Sequence, residues 1–185
     1  MEELERIYRN FIRKITTISI TPENRIKWPR YRDQKLQQLL LEYDEDHHII
    51  KNFNICLMIE KLDRNYDEYC YEDHVRLYEQ CFINTRKLIP HDIRYNLDCV
   101  EILSKLAQVY LFKQEYEQCS EILDVAKNYV YAYHEIREDE YLYQGYLTIY
   151  GNYMFLYEHL GDKEKEKTYE SLYQHTLNLF YQYKK

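Results

Sequence analysis

Residues 106–126 read LAQVYLFKQEYEQCSEILDVA, and this stretch decides the fold. Counting back into the preceding segment, Ile93, Leu97, Val100, Leu103, Leu106, Ala107 and Tyr110 recur every three or four residues, the period of one helix face. The pattern lapses around Lys113-Gln114-Glu115 and resumes with Cys119, Ile122, Leu123, Ala126 and Val130. Two amphipathic helices joined by so short a polar connection must double back and bury their apolar faces on each other. The stretch therefore predicts a helical hairpin, running from Asp92 to about Lys113 and then over 116–135.

Composition extends that reading to the whole chain. Glycine and proline number three each in 185 residues, against average usage of about 7% and 5%. That is too few to turn a many-stranded β protein, so the expected fold is all-α, built from antiparallel helical hairpins. The length suits one domain over 1–185, able to bury roughly 70% of its unfolded surface, with 1–90 less regular and 92–185 holding two hairpins. Further helices are expected over 2–17, 33–43, 46–63, 67–89 (ended by Pro90), 138–159 and 163–184. Thr21-Pro22-Glu23-Asn24 reads as a helix start, a threonine cap with proline at the first helical position, cut short by Pro29. Leu160-Gly161-Asp162 is the best punctuation: glycine for a left-handed cap, aspartate to cap the last helix.

In the second half, Leu106-Ala107, Tyr110, Tyr116, Cys119, Leu123 and Ala126 follow the order and spacing of a tetratricopeptide repeat, which puts small residues where two helices meet. Tyr150, Tyr153, Tyr157 and the turn Leu160-Gly161-Asp162-Lys163-Glu164-Lys165 resemble the next repeat. Equating Tyr110 with Tyr157 gives a period of 47 residues, longer than the usual 34 or so. The small residue of the last hairpin would fall on Glu166, so that helix must pack through a shifted face. Long repeats of this kind resemble the peptide-pheromone receptors of the Rap and PlcR-like group, and the resemblance implies a short right-handed superhelix that binds a peptide or protein. It further implies a concave face made by the first helix of each pair, which places Glu101, Ser104, Gln108, Phe112, Thr148, Asn152, Phe155 and His159 in a groove. The helix-turn-helix that many such receptors carry is not legible in residues 1–45.

Tyrosine, at 23 residues, is the unusual count. Tyr146, Tyr150, Tyr153 and Tyr157 form a stripe on one helix, to be read either as core or as part of a recognition surface. Asp44-Glu45-Asp46-His47-His48 contains an ExxH spacing at Glu45 and His48, but no second such motif exists to complete a di-metal site. The run reads better as a helix start with an acidic cap, and neither metal nor cofactor is expected. Arg86 and His91 match the Arg-x4-His spacing of HEPN-type ribonucleases, with Pro90 set against a continuous helix between them. No phosphate-cradling glycine loop or nucleophile motif is present, so no catalytic residues are assigned and a non-enzymatic role is expected.

The net charge of −7 argues against nucleic acid as the partner. The cluster Arg25, Lys27, Arg30 and Arg32 is local. No apolar run suggests a leader or a membrane span, and five scattered cysteines suggest reduced thiols. A cytoplasmic regulatory or adaptor protein is the expected class. A small acidic inhibitor (antitoxin, immunity or phage anti-defence protein) masking a basic partner is the alternative. The aromatic last helix, 163–185, suggests a homodimer, and the richness in Lys, Glu, Tyr, Asn and Ile suggests a low-GC bacterium or its phage.

Overall fold

The computed structural model describes residues 41, 43–64, 66 and 69–183, and among these every regular element is helical. The helices are α1 (His48–Arg64), α2 (Tyr71–Arg86), α3 (Tyr95–Phe112), α4 (Tyr116–His134), α5 (Glu140–Leu160) and α6 (Lys163–Tyr183). The helices expected over 2–17 and 33–43, the Thr21-Pro22 start and the basic cluster around Trp28 lie outside the described residues. The chain divides into two compact units, Met1–Tyr66 and Asp67–Lys185. In the second of these α2 packs on α3 and so joins the two hairpins.

In the first unit, α1 begins at His48, and the His47 ring accepts the Ile49 amide through Nδ1 at 3.3 Å. The expected acidic cap is thus an imidazole, and Glu45 sits in the turn before it rather than on the helix. Ile49, Ile50, Phe53, Cys56, Ile59 and Leu62 are buried along α1.

In the second unit, α3 packs along α4 and α5 along α6, while α3 also touches α5 directly and α4 packs on α5. This is a pair of stacked hairpins whose first helices meet. The positions that carried the sequence reading are its core: Leu106, Ala107, Cys119, Leu123 and Ala126 are all buried, and Leu142, Ile149, Tyr153 and Leu156 of α5 continue the same cluster. Along α2 the most buried line is His74, Tyr78, Cys81 and Thr85. In sequence, the apolar period of the helix expected over 67–89 runs through Tyr71, Val75, Tyr78, Phe82 and Leu88; Tyr78 and Leu88 of these are buried, and Phe82 packs edge-on against Tyr129 at 5.7 Å.

The two hairpin turns have the same backbone. Gln114 N–H donates to Leu111 O and Glu115 N–H to Tyr110 O; Gly161 N–H donates to Glu158 O and Asp162 N–H to Tyr157 O. Each is a Schellman-type ending with its left-handed residue at φ 63° (Gln114) or φ 70° (Gly161). The two turns are offset by the 47 residues expected from Tyr110 and Tyr157. Asp162 then caps α6 by accepting the Lys165 amide at 3.1 Å.

The second hairpin solves its packing by reversing the small and large positions. A Cβ on Gly151 would stand 3.7 Å from the Tyr173 ring, so the small residue lies on α5 and the ring on α6. Glu166 is half-buried and paired with Lys163 at 2.7 Å. The outer face of α6 carries Glu164, Lys167, Glu170, Gln174, His175 and Asn178, with apolar exposure at Leu172, Tyr181 and Tyr183.

Candidate functional site

The face expected to be a groove runs along α3 and α5, and its eight residues divide sharply by exposure. Phe112 and Phe155 are 72% and 57% exposed, Gln108 and His159 are exposed, and Glu101 and Thr148 are half-buried. Ser104 and Asn152 are only 3% and 8% exposed, so neither offers its side chain freely to a ligand. The Ser104 hydroxyl has no hydrogen-bond partner among the described residues.

One hydrogen-bond chain ties the two helices together at the middle of this face. Thr148 Oγ1 donates to Gln144 O at 3.0 Å, and Asn152 Nδ2 donates to Thr148 O at 2.8 Å. A carbonyl can only accept, so Asn152 must turn its Oδ1 the other way, toward Gln108 Nε2 at 3.0 Å. Gln108 is thereby oriented, with its own carbonyl oxygen left as an acceptor on the exposed side. At the end of α5, His159 Nδ1 lies 2.8 Å from Phe155 O, which fixes the proton on Nδ1. The result is an oriented polar pair joining the hairpins, with an exposed phenylalanine about one turn further along each of the two helices, Phe112 on α3 and Phe155 on α5.

The tyrosine stripe lies elsewhere. All four rings, Tyr146, Tyr150, Tyr153 and Tyr157, belong to or pack on the core, and the last three also meet Tyr169 of α6. Tyr153 is buried and donates to Asp124 at 2.6 Å, while the Tyr146 hydroxyl lies 2.9 Å from His134 Nδ1. Burial holds the Tyr153 hydroxyl well above the usual phenol range, reinforced by the bond to Asp124. Burial also works to raise Asp124, but its hydrogen bonds from Tyr153 and Lys127 outweigh that and leave its carboxyl below 3.8. Burial, with neighbouring rings, pushes Tyr146 up to about 12. The core reading of this stripe therefore holds at Tyr153, and the other three rings are its half-buried margin.

The catalytic alternatives find little geometry. Arg86 is the last residue of α2 and His91 lies in the turn beyond it, past Pro90, so no single helix presents both. Arg86 reaches instead toward the Tyr129 hydroxyl. Burial pushes the Cys81 and Cys119 thiols up to about 11, away from nucleophilic character. Among the described residues no three His, Cys, Asp or Glu side chains converge as metal ligands, and no helix is long and apolar enough to cross a membrane.

Two features escaped the sequence reading. Asp139 caps α5, accepting the Tyr141 and Leu142 amides at 3.0 and 3.1 Å, the Tyr133 hydroxyl at 2.8 Å and Arg137 Nε at 2.6 Å. An aspartate just ahead of an apolar period is a cap signal that could have found it. The Tyr153–Asp124 pair, 29 residues apart, has no local signal at all. No family model, curated protein or solved structure matches the chain.

Proposed function

We propose that this protein is a non-enzymatic adaptor or regulator that binds a peptide or a segment of another protein on the α3/α5 face. The observation that carries the reading is the Gln108–Asn152 hydrogen bond, which joins the two hairpins at 3.0 Å, with Phe112 and Phe155, about one turn further along the same two helices, left exposed as large apolar side chains. Exposed aromatics around an oriented polar group are the usual make-up of a binding hot spot. A ligand spanning both helices would couple to the packing between the hairpins, which in a stack of this type rests on neighbour contacts alone.

The test is an affinity pull-down of the tagged protein from its native lysate, read by mass spectrometry for proteins and short peptides together, beside the variant Phe112→Glu/Phe155→Glu. Loss of two anchor side chains should reduce the captured ligand by roughly tenfold or more. A ligand retained equally by both proteins would place the binding surface elsewhere. If that ligand were a basic folded protein, the acidic-inhibitor reading would replace this one.

A further inference from the structure

The tyrosines around α5 form a line that packing alone does not require. Phenylalanine would fill the same space with no hydroxyl to desolvate, yet the chain uses 23 tyrosines and six phenylalanines. Tyr131, 46% exposed on α4, lies 6.1 Å from Tyr146 between ring centroids. Tyr146 lies 5.7 Å from Tyr150, and Tyr150 lies 6.1 Å from Tyr169. Tyr169 in turn stacks on the buried Tyr153 at 4.5 Å, with the planes 14° apart. The line thus runs unbroken from solvent to a ring that is 1% exposed. At its inner end the hydroxyl already donates to a carboxylate, Asp124, at 2.6 Å.

Removing one electron from a phenol makes its hydroxyl a far stronger acid than a carboxylic acid. Oxidation near neutral pH therefore settles where a base can take the proton, and two rings of the line have such a neighbour: Tyr146, half-buried and 2.9 Å from His134 Nδ1, and Tyr153, fully buried on Asp124. We propose that this line is a one-electron oxidation site, at which a small diffusible radical oxidant is reduced at Tyr131 and the hole comes to rest on Tyr153 as a neutral phenoxyl radical.

The step balances. The oxidant gains one electron from Tyr131, and one electron then moves outward at each hop, from Tyr146, Tyr150, Tyr169 and finally Tyr153. The Tyr153 O–H bond breaks and its proton passes to the Asp124 carboxylate, which becomes the acid. A thiol or ascorbate-type reductant reverses this by returning one electron along the line, while Asp124 returns the proton. Lys127 bonds the same Asp124 oxygen at 3.1 Å and stands 5.7 Å from the Tyr153 ring centroid. Its charge repels a cationic ring, so the hole rests there only together with loss of the proton. Burial of Tyr153 keeps the radical from coupling with a ring on another molecule, the usual fate of an exposed phenoxyl.

The experiment uses the full chain and photogenerated tris(bipyridine)ruthenium(III), with a cobalt(III) complex as sacrificial acceptor. Freeze-quenched electron paramagnetic resonance reads the radical, and dityrosine fluorescence reads coupling at exposed rings. The wild type should give a persistent phenoxyl signal with little dityrosine. Tyr153→Phe, which keeps the ring, and Asp124→Asn, which keeps the shape, should each lose the persistent signal and raise dityrosine several-fold. The surface variant Tyr131→Phe, which leaves the core untouched, should slow the growth of the signal several-fold. A folded Tyr153→Phe protein with the wild-type signal lifetime and dityrosine yield would overturn the proposal. So would a wild type that gives only dityrosine, or Tyr131→Phe with unchanged kinetics.

Discussion

Gln114 holds a backbone conformation, φ 63°, that its structural counterpart Gly161 holds at φ 70°. For a residue with a Cβ the left-handed region costs about 1–2 kcal/mol, whereas glycine enters it freely and loses part of the advantage to chain entropy. Gln114→Gly should therefore stabilise the protein by about 0.5–1 kcal/mol, raising the thermal midpoint by a few degrees; an unchanged or lower midpoint would show the turn to be unstrained. Asp139 is the opposite case, since one carboxylate serves two helix amides, a tyrosine hydroxyl and an arginine. Asp139→Ala removes the cap and orphans the hydroxyl of the buried Tyr133, which should lower stability by about 2–3 kcal/mol in urea denaturation. Asp139→Asn, which keeps an acceptor oxygen, should recover part of that loss.

Where three helices converge, Gly145 lets α5 approach both α3 and α4. An added Cβ would stand 3.0 Å from Leu97 Cδ2 and 3.4 Å from Val130 Cγ2. Leu97 is half-buried and presents the end of a flexible side chain, so Gly145→Ala should come out near neutral, helix propensity offsetting the crowding. Gly145→Val adds branches that Leu97 and Val130 cannot both avoid, and should cost about 1–3 kcal/mol by thermal or urea unfolding. Gly145 itself carried no signal in the sequence, because its partners lie 48 residues before it and 15 before it on other helices. The helices that bury it were legible, since Leu106, Ala107, Cys119, Leu123 and Ala126 combine a helical period with small residues at the crossing. The candidate face was legible as positions but not as exposure. Ser104 and Gln108 sit one turn apart on α3, and only the packing around each makes one buried and the other exposed. The buried line of α2 was legible only in part for a related reason: His74 and Thr85 are polar, so an apolar count passes over the line they share with Tyr78 and Cys81.

Over the whole chain, the tyrosine hydroxyls make alkaline pH the vulnerable side. Below the ordinary phenol value of 10.0 the Tyr146 hydroxyl is protonated in both folded and unfolded chains, so this group's contribution is complete there. As pH rises from 10.0 through about 12, the unfolded chain ionises while burial keeps the folded one protonated, and stability falls. Tyr133, Tyr143 and Tyr153, raised by burial and by their carboxylate partners, add to the same slope. A tyrosinate absorbance titration should therefore show a late group of phenols that ionise together with loss of helical circular dichroism; smooth titration with the helices intact would contradict the burial. The division at Tyr66 also has an optical consequence. Of the 23 tyrosines all but four belong to Asp67–Lys185. Near-ultraviolet tyrosine dichroism is thus a native reporter of that unit, with no label attached. In a denaturant titration it should vanish in a single transition, and a signal lost in two steps would mean that the stacked rings loosen separately from the rest of the unit.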